Sequence, residues 1–166
     1  MPLLRNTDKS KISKRKNPAA RLMWFKEQGY LPEAVRNFLQ LLGYAGDDEN
    51  EVKSFEQFID EFSWEKVNTT GPIFDLKKLD WLNGHYIRSL SVDELTERIV
   101  GFATESGQWE TADPARVEVL RQAVPIIQER LVLLADALPQ LEFLFTADAD
   151  LVVADDARAS LAEAAA

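Results

Sequence analysis

The chain reads as a mainly α-helical protein, and three observations carry that expectation. Apolar residues recur at three- and four-residue spacing over most of its 166 positions, the period of one helix face. No extended stretch alternates apolar and polar residues as a half-buried strand would. Helix-start chemistry precedes one periodic stretch after another: Asn17 before Pro18, Ser54 with Gln57, Asp75, Ser91 with Glu94, and Asp113 before Pro114. Each is a side chain able to hold an otherwise unpaired backbone N–H. No internal repeat is visible, and an apolar content of 46% suffices for a core in one domain or two small ones.

The first helix is expected over Ala19 to Gln28, with Asn17 as its cap, Pro18 at its first position and Gly29 as terminator. A second runs from Pro32 to Leu42, placing Leu31, Val35, Phe38, Leu39 and Leu42 on one stripe, with Gly43 as its stop. After a charged turn from Asp47 to Glu51, the Ser54 and Gln57 capping box opens a helix that buries Phe55, Phe58, Ile59 and Phe62. Thr69-Thr70-Gly71-Pro72 is a turn, and Asp75 caps a segment carrying Leu76, Leu79, Trp81 and Leu82. Asn83-Gly84 should break that segment before Tyr86 and Ile87 resume the pattern. Leu95, Ile99, Val100 and Phe102 form the apolar face behind Ser91, weakened at Gly101 and ended at Ser106-Gly107. Asp113-Pro114 opens a helix through Val117, Leu120 and Val124, which Pro125 kinks or restarts before Ile126 to Leu138 continue it to Pro139. The remainder holds an apolar stretch from Leu141 to Phe145, a polar turn at Asp148, a short Leu151 to Val153 run and an alanine-rich ending.

Charge is unevenly distributed. Residues 1–26 carry eight basic groups against Asp8 alone, a formal +7, which leaves −16 on the rest of a chain whose total is −9. The two portions therefore present opposite potentials, and a coat protein for any nucleic-acid backbone is not expected, although local patches could still engage one. With no cysteine, disulfides, thiolate zinc sites and a cysteine nucleophile are excluded as well. No apolar run approaches the ~20 residues that a bilayer crossing needs, and Met1 to Arg5 is too short for the apolar part of a signal peptide. A soluble, cytoplasmic protein without a membrane partner is expected.

Five of those eight basic groups fall in Lys9-Ser10-Lys11-Ile12-Ser13-Lys14-Arg15-Lys16. Lysines three apart with a serine between them have the reach to surround a phosphate chain, and would gain energy as charge develops on transferring phosphoryl oxygens. The loop also feeds a helix start, where free N–H groups and the dipole favour an anion. Taken alone, the composition leaves two readings open: a phosphate or nucleic-acid site, and a solvated basic turn. The single histidine, His85, has no second histidine for a metal site and is expected to be a capping or hydrogen-bonded residue. Trp24, Phe38, Phe58, Trp81 and Ile87 are expected to pack in the core, and Trp109 to cover a helix end. Asp60, Glu61, Glu65 and Asp80 read as a solvated face. Lys77 or Lys78 and Arg88 are candidate contacts to a nucleic-acid backbone.

The flanks of the basic loop carry a resemblance. Pro2-Leu3-Leu4-Arg5-Asn6, then Asp8 through Pro18, closely resembles the Lys-Met-Ser-Lys-Ser signature region of class I aminoacyl-tRNA synthetases of the bacterial glutamyl type. Gly29-Tyr30-Leu31-Pro32-Glu33-Ala34 and the stretch from Phe74 to Arg88 agree in order and spacing, so three matches spread over about 85 residues. The signature departs from the general pattern at Ile12, which keeps an apolar anchor, and at Arg15, which keeps a cation and is common in the glutamyl and glutaminyl branch.

The resemblance implies that the loop closes over ATP during amino-acid activation, with Lys11, Ile12, Ser13, Lys14 and Arg15 as nucleotide-binding residues. It implies too that Lys14, as the signature's second lysine, is the catalytic one and stabilises the pyrophosphate leaving group. By the same resemblance, residues 1–18 correspond to the end of the catalytic domain, 19–90 to a stem-contact region, and 91–166 to part of a helical anticodon-binding domain. Relatives hold a Rossmann-type core with a His-Ile-Gly-His-like motif and a glutamate pocket, for which this chain has no counterpart. The implied function is therefore that of a piece of an enzyme that activates glutamate with ATP, aided by Mg²⁺, and transfers it to tRNA(Glu). No metal is held by this piece, and the isolated chain is expected to be inactive. The alternatives are a non-catalytic module that binds tRNA or protein, and a fragment of the glutaminyl or non-discriminating branch.

Overall fold

The computed structural model describes residues 4–12, 17–44, 50–146 and 150. Among them the fold is helical and no β-sheet forms; extended segments meet only in isolated bridges. Seven α-helices follow in order: α1 Leu22–Gln28, α2 Pro32–Gly43, α3 Phe55–Glu61, α4 Leu76–Ser89, α5 Val92–Glu105, α6 Pro114–Ile127 and α7 Ala137–Leu141. The caps work as the sequence requires. Ser54 and Ser91 form reciprocal capping boxes with Gln57 and Glu94, and the Asp75 and Asp113 carboxylates accept from the amides of Lys77 and Ala115.

Helix α4 is the spine. Its period places Leu79 and Leu82 in one apolar cluster with Phe25, Tyr30, Phe38 and Phe74. One turn further, Ile87 enters a second cluster with Leu95, Ile99, Leu120, Val124, Leu131 and Leu141. These three α4 residues have no exposed surface, and burying each is worth about 1.5–3 kcal/mol. Helix α2 packs on α4, and α5 on α6. Trp109 is buried in the second cluster, donates its backbone N–H to the Ala103 carbonyl at the end of α5, and meets Phe145 edge-on. It covers a helix end, as expected.

Where expectation and structure part, long-range packing is the cause. Asn83-Gly84 does not interrupt α4, because both residues are used inside it. The Asn83 amide has no exposed surface; its oxygen accepts from the Leu31 N–H at 2.8 Å and its NH₂ donates to the Val132 carbonyl. Gly84 lets the Arg88 guanidinium lie over the helix, 2.9 Å from where a Cβ would stand. The first helix is divided: Pro18–Ala20 is a 3₁₀ turn, Arg21 is extended, and α1 begins at Leu22. The expected continuation beyond Pro125 also fails. Helix α6 closes at Ile127, a 3₁₀ turn comes next over Gln128–Arg130, and Leu131 is extended. That turn is held against the end of α4 by Gln128, whose amide donates to the carbonyls of Ile87 and Leu90.

Several expected core residues lie outside it. Leu39 is half exposed on α2, whose buried face is instead Ala34, Val35, Asn37 and Phe38. Trp81 is half exposed on α4, and no residue of α3 is buried. Helix α2 also runs through Gly43, with Tyr44 as its cap. His85 is exposed within α4, its ring tilted against Trp81, rather than a cap between helices. The turn residues Asp47 to Glu49, Asp148, the Leu151 to Val153 run and the alanine-rich ending lie outside the described residues.

Gly29 joins the two cores. It ends α1 with a left-handed φ of 84°, and its carbonyl accepts from the Leu134 N–H at 3.0 Å. A Cβ there would stand 2.8 Å from the Ala135 nitrogen and 3.1 Å from that of Leu134. Gly29→Ala therefore meets both an unfavourable φ and a backbone wall. A loss of about 3 kcal/mol is expected from the urea unfolding midpoint.

Candidate functional site

The basic loop begins as a hairpin. Arg5 and Lys11 form an antiparallel bridge, the Ile12 N–H reaches the Leu4 carbonyl at 3.3 Å, and the Asn6 N–H reaches that of Ser10 at 2.8 Å. The tip is a tight polar turn. Lys9 takes a left-handed φ of 64° and donates its backbone N–H to the Asn6 carbonyl. The Asp8 carboxylate accepts the Ser10 N–H, and the Asn6 amide donates to the Ser10 hydroxyl, both at 2.9 Å. Bonds from the Ser10 side chain and backbone hold the Asp8 carboxyl below its ordinary range.

Arg5 ties the hairpin to the spine. Its N–H donates to the Pro72 carbonyl at 3.0 Å and its carbonyl accepts from the Phe74 N–H at 2.8 Å, just before the Asp75 cap of α4. Leu4 and Ile12 are partly buried against the Phe38 and Phe74 cluster. Since side chains alternate along an extended strand, an inward, partly buried Ile12 sets its neighbour Lys11 outward, and Lys11 is exposed. Residues paired across a hairpin share a face, so Arg5 and Lys11 are like charges side by side. Such pairs are destabilising on their own, a cost that an anion between them would relieve.

Of the other residues singled out in the sequence, Ser13, Lys14, Arg15 and Lys16 lie outside the described residues. Asn17 closes the loop from the far side, donating to the Asn6 amide oxygen at 3.4 Å and accepting from the Ala19 N–H at 3.1 Å. The expected helix start behind the loop is a three-residue 3₁₀ turn whose Ala19 and Ala20 amides are both taken by Asn17, so it adds no anion site. Lys77 is exposed, Lys78 pairs with Glu51 at 2.5 Å, and Arg88 is folded over Gly84. Asp80 is not solvated face: it accepts the hydroxyl of the buried Tyr30 at 2.5 Å. Burial, that bond, and the charges of Asp80 and Asp136 push the Tyr30 hydroxyl well above its usual pKa. Glu61 pairs with Lys53.

Among the described residues no group of three or more His, Cys, Asp or Glu side chains is placed to hold a metal ion, and no helix is long and apolar enough to cross a membrane. A largely apolar cavity of about 890 Å³ between α1, α2 and α5 is lined by Leu22, Met23, Val35, Leu39 and Phe102 and by no hairpin residue. The candidate site is therefore the hairpin, an exposed pair of cations on a partly buried apolar root. Arg5 is the member that sequence reasoning passed over, although it stands within the stretch that carries the resemblance.

A family model described as tRNA synthetases class I (E and Q), catalytic domain, matches residues 1–81. The match takes in the hairpin, α1 to α3 and the start of α4, and places that part of the chain in the class I synthetases of the glutamate and glutamine type. Glutamate–tRNA ligase of Acidothermus cellulolyticus is 56% identical over 158 residues, covering 95% of this chain and 31% of that protein. Glutamate–tRNA ligase of Thermus thermophilus is 46% identical over 150 residues, covering 89% and 31%. The chain belongs to the bacterial glutamate–tRNA ligase family, and spans about a third of the length of these relatives. The crystal structure of a glutamate–tRNA synthetase from Elizabethkingia anophelis matches 85% of the chain and 31% of its own at a TM-score of 0.66 and 24% identity, a likeness of fold.

Proposed function

We propose that this chain serves a glutamate–tRNA ligase as the segment that carries the ATP-binding loop and joins it to the helical surfaces used on tRNA(Glu). The observation that carries the reading is the pairing of Arg5 and Lys11 on an exposed hairpin rooted by Ile12 in the core. Lys11, Ile12, Ser13, Lys14 and Arg15 are the nucleotide-binding set. The donor set fits a triphosphate in its chemistry: flexible ammonium groups and a guanidinium, with a serine among them. ATP with Mg²⁺ supplies the activating phosphoanhydride when bound in the complete enzyme. Ile12 holds the loop down, Lys11 and Ser13 support it against the phosphates, and Lys14 meets the charge that builds as pyrophosphate departs. The division into residues 1–18, 19–90 and 91–166 belongs to the same reading; its second boundary is supported by the fresh helix start at Ser91, while Leu4 and Ile12 share an apolar cluster with residues of the middle part.

Because Lys11 is exposed, Lys11→Ala in the complete ligase is expected to leave the melting temperature unchanged and to raise the KM for ATP about tenfold. An unchanged KM would remove Lys11 from the site. The 166-residue chain by itself is expected to show no glutamate-dependent ATP–pyrophosphate exchange, since its single histidine cannot supply the paired-histidine motif that the resemblance implies. Exchange above background would overturn this, whereas tRNA(Glu) binding without exchange would mark the chain as a binding module.

A further inference from the structure

Neither apolar cluster nor the nucleotide loop uses the rings of α3 and the turn behind it. They form one continuous row. Phe55 stacks on Phe58 at 6.5 Å between centroids, Phe58 meets Phe62 at 5.7 Å, and Phe62 meets Trp64 edge-on at 5.1 Å. Tyr44 underlies the row, 5.2 Å from Phe58 and 5.6 Å from Phe62. It is itself buried, and its hydroxyl donates to the Glu61 carbonyl and accepts from the Ser63 N–H, so the row has a fixed base. Trp64 is 79% exposed, Ile59 56%, and Phe55 and Phe62 38% each. At ~150–250 Å² per large side chain this is a contiguous patch on the order of 400 Å², the size that marks an interaction site on a monomer.

Two features of the ridge define the chemistry of what covers it. At one end the Arg36 guanidinium already lies over the Phe55 ring, 4.8 Å from its centroid; Phe62 and Trp64 are the next exposed rings for cations of the same kind. Between and beside the rings stand the exposed carboxylates of Glu56, Asp60 and Glu65. Arg36 stands by Glu56 and Lys66 by Glu65, yet the three carboxylates outnumber these two cations; a phosphate backbone is therefore disfavoured there, whereas a segment with lysine or arginine beside apolar side chains matches rings and carboxylates together. We propose that the α3 ridge, from Phe55 to Trp64, is a docking surface for a basic amphipathic helix of a partner protein.

The test titrates the chain with two synthetic amphipathic helices, one of leucine and lysine and one of leucine and glutamate, and with a short RNA duplex. Binding is read from tryptophan fluorescence, and a Trp64→Phe chain identifies the signal. The leucine–lysine helix is expected to bind saturably and roughly tenfold or more tighter than the leucine–glutamate one. A Phe62→Ser, Trp64→Ser chain, which keeps every charge, is expected to lose roughly tenfold or more of that affinity with its urea midpoint unchanged. Equal affinity for the two helices, no saturation, or full binding by the doubly substituted chain overturns the proposal. So do RNA duplex binding at the Trp64 signal, a dimer in sedimentation that the double substitution abolishes, and protection of Trp64 from hydroxyl radicals in the complete ligase without any peptide.

Discussion

Asn83→Ala is expected to lower the unfolding free energy of the chain by about 4 kcal/mol. The substitution leaves the Leu31 N–H and the Val132 carbonyl without their partner in a site with no exposed surface at residue 83. Each orphaned buried group costs about 1–3 kcal/mol, and a cavity is added. For a chain of this size that corresponds to a fall in Tm of roughly 10 °C, read by calorimetry or urea unfolding. The effect should reach both apolar clusters at once, because Asn83 stands next to Leu82 of one cluster and bonds the backbone of Leu31 in the other. A loss below about 1 kcal/mol would show that the amide is not the bond between them.

Lys14→Ala in the complete glutamate–tRNA ligase is expected to slow glutamate-dependent ATP–pyrophosphate exchange by about a hundredfold or more, with little change in glutamate affinity. The reason is differential: the lysine's charge counts most when negative charge has moved onto the leaving pyrophosphate, so the loss falls on kcat rather than on substrate binding. Lys14→Arg, which keeps the cation in a different shape, should recover part of the rate. Equal exchange rates for the substituted and unsubstituted enzymes would defeat the assignment.

The parts of the fold that were legible in the sequence are those decided within a few residues. The capping boxes at Ser54 and Ser91, the caps at Asp75 and Asp113, and the left-handed stop at Gly29 all appear as expected, since a side chain three residues from an orphan N–H needs no help to find it. The basic loop was legible as a candidate site for a similar reason: its lysines are neighbours in sequence. Its root was not. Arg5 gains its place from a bridge to Ile73, and nothing local to the loop points to a partner so distant along the chain.

Burial was the weaker inference. Leu39, Ile59 and Trp81 obey a helical period and are nevertheless exposed, because a period fixes which residues share a face and leaves open whether another element covers it. Asn83-Gly84 shows the converse. The pair is local punctuation for a turn, yet the free energy of two long-range hydrogen bonds and a close guanidinium outweighs the roughly 1 kcal/mol by which glycine disfavours a helix.

By itself the amino-acid order determined the helical class, the positions where helices start, the split of charge between the first residues and the rest, and the family, since each rests on chemistry repeated at short spacing. Only the tertiary structure decided that α4 runs unbroken between two cores, that Asn83 and Gly29 hold those cores together, that Arg5 stands beside Lys11, and that the rings of α3 face outward. Those outcomes depend on groups far apart along the chain, and their free energies exist only once the backbone has brought them into contact.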